Sequence, residues 1–185
     1  MRRDLICRQL EDVRSSNEPI VLHEQDVDLS GLDLSGLNLS GSTFSNVNLK
    51  GVNLSGTILK GVDFKGVELD GANLQGACLV DAKFDCSQLI KANLKGAEMR
   101  YTKIFSTFFT KADLTGVDLS GCKMAHSDFS HAIMDDANLS DADINLIVNE
   151  DDEMDRNDFT FASMYGAIIT SPELKAYLIE QGAEL

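Results

Sequence analysis

The sequence has no tryptophan, only two prolines and few bases: 16 lysines and arginines stand against 30 acids, a formal net charge of −14 in 185 residues. That scarcity of positive charge excludes a nucleic-acid binder that works by neutralising phosphates, because an acidic surface repels the backbone it has to grip. Direct nucleic-acid binding is not expected. An anionic membrane surface is disfavoured on the same ground. No stretch of 18 apolar residues occurs, so no membrane span is expected either. The basic start, Met1 to Arg8, lacks the apolar region of a signal peptide, and the chain is read as soluble and cytoplasmic. Cys7, Cys78, Cys86 and Cys122 fit no CxxC or zinc spacing and are read as reduced thiols. What remains is substantial: 43% of the residues are hydrophobic, too many for a disordered acidic tail, and the length suits one domain.

The organising feature is a repeat. From Leu29 to Ile144 every fifth residue is Leu, Phe, Met or Ile, 24 positions without a miss. Two residues before each, except at Leu32 and Leu37, stands a small or β-branched residue, such as Val47, Val52, Ala72 or Ala77. Two residues after each, Gly recurs, and this register holds 13 of the 14 glycines. A period of five suits neither a 3.6-residue helix nor a two-residue strand. It calls for two inward side chains in every five, one large and one small, followed by a turn. Gly at the turn fits a corner of unusual φ or close stacking. Phe44, Phe64 and Phe84 lie 20 apart, with Ile104, Met124, Ile144 and Met164 extending the series, and Phe109 and Phe129 repeat that spacing. Like residues every 20 predict four pentapeptides per turn, a four-sided coil. Its core is assigned to Phe44, Phe64, Phe84, Leu74, Leu94 and Leu114.

The copies Ala72-Asn73-Leu74-Gln75-Gly76, Ala92-Asn93-Leu94-Lys95-Gly96, Ala112-Asp113-Leu114-Thr115-Gly116 and Ala137-Asn138-Leu139-Ser140-Asp141 resemble the A(D/N)LXX motif of the pentapeptide-repeat family. The resemblance is strong over about 27–144 and weak over 155–169. It implies an all-β solenoid, a right-handed quadrilateral parallel β-helix with short strands on each face. At about 4.8 Å per coil, six coils make a rod body about 30 Å long.

An open coil exposes edges and an apolar bore, so short capping helices are expected at both ends. Residues 1–26 are assigned to an N-terminal cap, an amphipathic helix over 3–14 bearing Ile6, Leu10 and Val13, then a lead-in strand at Ile20-Val21-Leu22. The coil is assigned to 27–170. Residues 171–185 begin with Ser171 as N-cap and Pro172 at the first helical position, and form a C-terminal helix. Its apolar residues Leu174, Tyr177 and Leu178 either cap the coil or, as the family resemblance suggests, join two copies into a homodimer. The repeat breaks at about 145–158, as a distorted coil or as an excursion that rejoins in register.

The charge is localised. Residues 27–134 carry 11 acids and 10 bases, whereas 135–158 carry 10 acids and one base. Within that stretch Asp151, Asp152, Glu153 and Asp155 offer oxygen ligands, but not in the order of a calcium loop, and are read as a solvated or protein-docking segment. In the repeat register Phe105 and Phe108 point outward near Ile90 and Tyr101, a candidate contact surface. Lys83, Lys103 and Lys123 form one basic column. His126 and His131 sit at corners with no nucleophile beside them. No phosphate loop, paired-carboxylate cleft or metal spacing appears, so no enzyme activity, cofactor or metal is expected. The expected function is a non-enzymatic protein–protein interaction module. The alternative, which the resemblance supplies, is a protector or inhibitor of DNA gyrase by DNA mimicry, as in quinolone-resistance members. The lysine column is wrong for such a mimic.

Overall fold

One pentapeptide, followed amide by amide, explains the fold. In Ala72–Gly76 the Ala72 amide closes a turn onto Leu69 O (2.9 Å), and the Asn73 amide donates to Val52 O (2.9 Å) in the preceding coil. The Leu74 and Gly76 amides donate to Asn93 O (2.7 Å) and Lys95 O (2.9 Å) in the following coil. The fifth amide, Gln75, would be orphaned, and the Asn73 side-chain oxygen accepts it at 3.2 Å. All five donors are satisfied, as buried backbone requires. The preference for Asp or Asn before the large residue is therefore an Asx turn repeated in every clear copy.

The computed structural model describes residues 10, 19–22, 28–144 and 157–185. These form a parallel β-solenoid whose coils stack with an offset of 20 residues. One face carries six strands, β1 (Val21–Leu22), β2 (Thr43–Ser45), β3 (Asp63–Lys65), β4 (Lys83–Asp85), β5 (Lys103–Phe105) and β6 (Lys123–Ala125), paired in sequence order and all parallel. We call this face 1 and number the others in chain order, so that Leu49, Leu54 and Leu59 lie on faces 2, 3 and 4. Single bridges continue the stacking there, for example Asn53 to Asn73 and Ile58 to Cys78.

The inward residues are buried, including all six assigned to the core. Phe44, Phe64 and Phe84 stack on face 1 with centroids 5.4 and 5.2 Å apart, and Phe84 meets Phe109 edge-on at 6.2 Å. Phe109, Phe129 and Phe159 continue the ladder on face 2, at 4.8 and 4.9 Å. Rings move to face 2 where face 1 turns to Ile104 and Met124, so the bore is filled throughout. Buried hydroxyls in the small inward slots donate to carbonyls, as Thr57 does to Leu34 O (3.1 Å) and Ser87 to Phe64 O (3.2 Å). No described buried side-chain N or O lacks a partner.

The corners explain the glycines and their absence. From Gly31 to Gly166, all 25 described positions two residues after a large inward residue have positive φ, 13 of them Gly and 12 not, among them Lys91, Lys111, Tyr101 and His126. Each turn has positive φ at its third residue, the requirement of a type II turn, which Gly meets without strain.

The stacking offset changes across the break, whose residues 145–156 lie outside the described residues. Asp128 pairs with Asp158, Ile133 with Ser163 and Asn138 with Ile168, an offset of 30 where 20 is the rule. Ten residues are thus added between Ile144 and Phe159. Met164 accordingly stacks above Met134 on face 3 and does not continue the Phe44 series, which corrects the sequence expectation. The rest of that series, through Ile144, holds. Of the expected N-terminal capping helix only Leu10 lies among the described residues, and it is buried. The lead-in strand is present as β1, with the Ile20 amide donating to Ser42 Oγ (2.9 Å). At the other end α1 (Pro172–Glu180) starts at Ser171, whose hydroxyl accepts from the Leu174 amide (3.1 Å). After α1 the chain returns, and Glu184 pairs with Ser163 on the open edge of face 3.

Candidate interaction surface

Faces 1 and 2 meet at a corner column that contains Ser106 and His126. Phe105 leaves face 1 just before this corner and Phe108 enters face 2 just after it, both 47% exposed although each adjoins a buried neighbour, Ile104 or Phe109. The inward pattern forces this: residues beside the large inward position point out. The Phe105 ring stands edge-on to His126 at 4.8 Å. Tyr101, at the other edge of face 1, is 62% exposed and lies over Gly121, where a Cβ would meet the ring at 2.6 Å. Ile90 is half-buried one coil before Phe108, its amide donating to Asp70 Oδ1 (3.0 Å). The four residues predicted as a contact group therefore share two adjoining faces, with Phe105 and Phe108 on either side of one corner and Tyr101 at the far edge of face 1.

Several bases pair with acids one coil away: on face 1 Lys65 with Asp85 (3.8 Å) and Lys83 with Asp63 (3.8 Å), on face 2 Lys50 with Glu68 (2.9 Å), on face 3 Lys95 with Asp113 (3.0 Å) and on face 4 Arg100 with Asp118 (3.8 Å). Burial alone would raise the Asp113 pKa, but hydrogen bonds from the Thr115 hydroxyl and Lys95 outweigh it and hold the carboxyl below its ordinary value. Beyond Lys83 on face 1, Lys103 and Lys123 continue the column in register and form no ion pair among the described residues.

A family model for pentapeptide repeats matches residues 25–61, 48–85 and 112–146, in eight copies. The chain is a member of the pentapeptide-repeat family. A solved structure of a trypsin-treated point variant of QnrB1, titled a plasmid-mediated fluoroquinolone resistance protein, aligns over 90% of this chain and 98% of its own. Its TM-score is 0.56 at 18% identity. A second trypsin-treated QnrB1 variant aligns over 83% of this chain and 84% of its own, with a TM-score of 0.51 at 20% identity. HetL from the cyanobacterium Nostoc sp. strain PCC 7120, titled as involved in heterocyst differentiation regulation, is 24% identical over 88% of this chain and 79% of its own. Its TM-score is 0.34. These likenesses concern the fold. No curated protein matches the chain.

In this pentapeptide-repeat chain the predicted acidic residues Asp151, Asp152, Glu153 and Asp155 lie outside the described residues. Leu174, Tyr177 and Leu178 are buried, with Phe159 edge-on to Tyr177 at 6.4 Å, so the apolar stripe of α1 covers the end of the bore. Other apolar side chains of this end face outward: Phe161, Tyr165, Ile168 and Ile179 are 54 to 77% exposed. The sequence reading missed Asn157. It sits buried in a small inward slot, where its Nδ2 donates to Met124 O (3.0 Å) and Ile144 O (2.8 Å) and its Oδ1 accepts from the Ser127 amide (3.0 Å). Its carbonyl accepts the Tyr177 hydroxyl. A polar residue two before Phe159 was the available signal. Among the described residues no His, Cys, Asp and Glu cluster could hold a metal, and no helix is long and apolar enough to cross a membrane.

Proposed function

We propose that this protein is a non-enzymatic protein–protein interaction module whose contact surface is the corner bearing Phe105 and Phe108. The observation that carries this is the distribution of exposed large apolar side chains. On a rod whose bore is filled and whose backbone is satisfied coil by coil, they concentrate at residues 101–108 and in the last coil with α1. Contiguous exposed apolar groups mark contact sites. Asp151, Asp152, Glu153 and Asp155 are proposed to add an acidic contact on sequence grounds. The free thiols Cys78, Cys86 and Cys122 support a cytoplasmic setting. A photo-crosslinking amino acid at position 108 is expected to trap a discrete partner in cells, and the same group at Gln75 on face 3 is not. Crosslinking at both positions alike, or at neither, would sink the reading.

A second copy is the proposed occupant of the C-terminal end, where Phe161, Tyr165 and Ile168 are exposed together. DNA mimicry fits less well. It needs negative charge along the rod, whereas the body balances its charges and stacks three lysines. The chain is expected to leave gyrase supercoiling unchanged, with or without a quinolone, at micromolar concentration; protection of the enzyme would favour mimicry instead.

A further inference from the structure

Between residues 83 and 131, faces 1 and 2 and their corners carry five lysines, Lys83, Lys91, Lys103, Lys111 and Lys123, and two acids, Asp85 and Asp128. Both acids are already engaged: Asp85 pairs with Lys65 (3.8 Å), and Asp128 accepts the Thr110 hydroxyl (2.6 Å). Lys83 reaches Asp63 at 3.8 Å. Among the described residues the other four lysines form no ion pair, although Asp143 follows Lys123 in the same column. Faces 3 and 4 of the same coils differ: there Lys95 and Arg100 are both paired with acids.

A like-charge stack in register is unfavourable in the isolated chain. It becomes favourable when an anion lies across it. We infer that this corner docks an acidic segment of a protein partner, one that alternates carboxylates with apolar side chains. The inference rests on the interaction reading above and specifies the chemistry of the partner. The carboxylates face the lysines of the two columns, while Phe105 and Phe108 between the columns supply the apolar anchors. Successive rungs at about 4.8 Å place adjacent ammonium groups about 5 Å apart and the outer pair about 10 Å apart, and carboxylates two residues apart in an extended chain, about 7 Å from one another, fall between these spacings, within the swing of the lysine side chains. A nucleic acid suits this surface less well, because the whole molecule carries −14 and repels a dense polyanion at range.

The test is fluorescence anisotropy with the full chain and a labelled 12-residue peptide of alternating Glu and Leu or Phe. A labelled single-stranded DNA of the same length serves as the competing probe. The peptide is expected to bind, and its affinity to fall about tenfold in Lys103→Glu/Lys123→Glu and in Phe105→Ser/Phe108→Ser. Lys60→Glu/Lys95→Glu, on faces 4 and 3, should bind as the native chain does. Lys103→Gln/Lys123→Gln, which removes charge without reversing it, should lose less than the reversal, and circular dichroism should show all variants folded. No peptide binding, an equal loss in the face 3 and 4 variant, or tighter binding of the DNA overturns the proposal. The crosslink at position 108 separates the two readings. If it persists undiminished in Lys103→Glu/Lys123→Glu, the interaction reading stands and the acidic partner falls; if none forms in the native chain, both fall.

Discussion

At the residue scale, Asn73 shows how one side chain holds two levels of structure. Its oxygen accepts from Gln75 in its own turn and from Asn93 Nδ2 (3.1 Å) in the next coil, while its Nδ2 donates to Asn53 (3.2 Å) in the coil before. Asn73→Leu leaves the Gln75 amide and both neighbouring amides short of a partner, and should destabilise by about 1–3 kcal/mol. Asn73→Asp, which keeps the acceptor, should lose less; denaturant midpoints compare the two. The corners make an opposite pair of substitutions. Gly76→Ala forces a Cβ into positive φ and should destabilise by about 1 kcal/mol, whereas Lys91→Gly, at φ +59°, should be neutral or stabilising. Cys122 is the chemical counterpart. Burial pushes its thiol pKa up to about 12, and Sγ donates to Met99 O at 2.8 Å. It should resist alkylation in the folded chain while exposed Cys86 reacts, as mass spectrometry of the labelled protein would show. Because the folded value lies above the unfolded one, this thiol's contribution is complete below about pH 8.5 and is lost as pH rises toward 12. The stability gap between the native chain and Cys122→Ala should narrow over that window.

At the scale of elements, the coil was legible because every turn repeats one local solution. Residue types at fixed intervals of five announced which side chains face in, and a spacing of 20 announced the sides. The C-terminal helix was legible from Ser171 and Pro172, since capping is local chemistry. The stacking beyond the break was not. Pentapeptide register is preserved across any insertion of five or ten residues, so the interval from Ile144 to Met164 reads as a regular coil although the chain has added ten residues. Only the pairing of Asp128 with Asp158 reveals it. Asn157 secures the rejoining coil to Met124, Ile144 and Ser127. Asn157→Ala should therefore cost about 2–4 kcal/mol, and should loosen the last coil before the body. Amide exchange at Phe129 and Met134 should rise well before exchange at Leu74; uniform exchange along the rod would contradict this division.

At the scale of the whole molecule, the candidate contact residues could be located from sequence because the repeat says which positions face out. Their neighbours across coils, and hence the lysine columns on adjoining faces, depend on which side each pentapeptide occupies. If the C-terminal end pairs two copies, light scattering should give twice the mass of the chain, reduced to one by Phe161→Ser/Ile168→Ser with the melting transition retained. The hydrogen bonds also give the rod a direction. Of the three amides in Asn73–Gly76 that point along the axis, two aim toward the C-terminal end and one toward the N-terminal end. Summed over the coils, this imbalance leaves outward-facing N–H groups, and so a partial positive potential, where the coil finishes. Asp135, Asp136, Asp141, Asp143 and Asp158 are all carried by the last coils. The rod thus has a polarity, with its carboxylates gathered at the pole that its own peptide groups make electropositive.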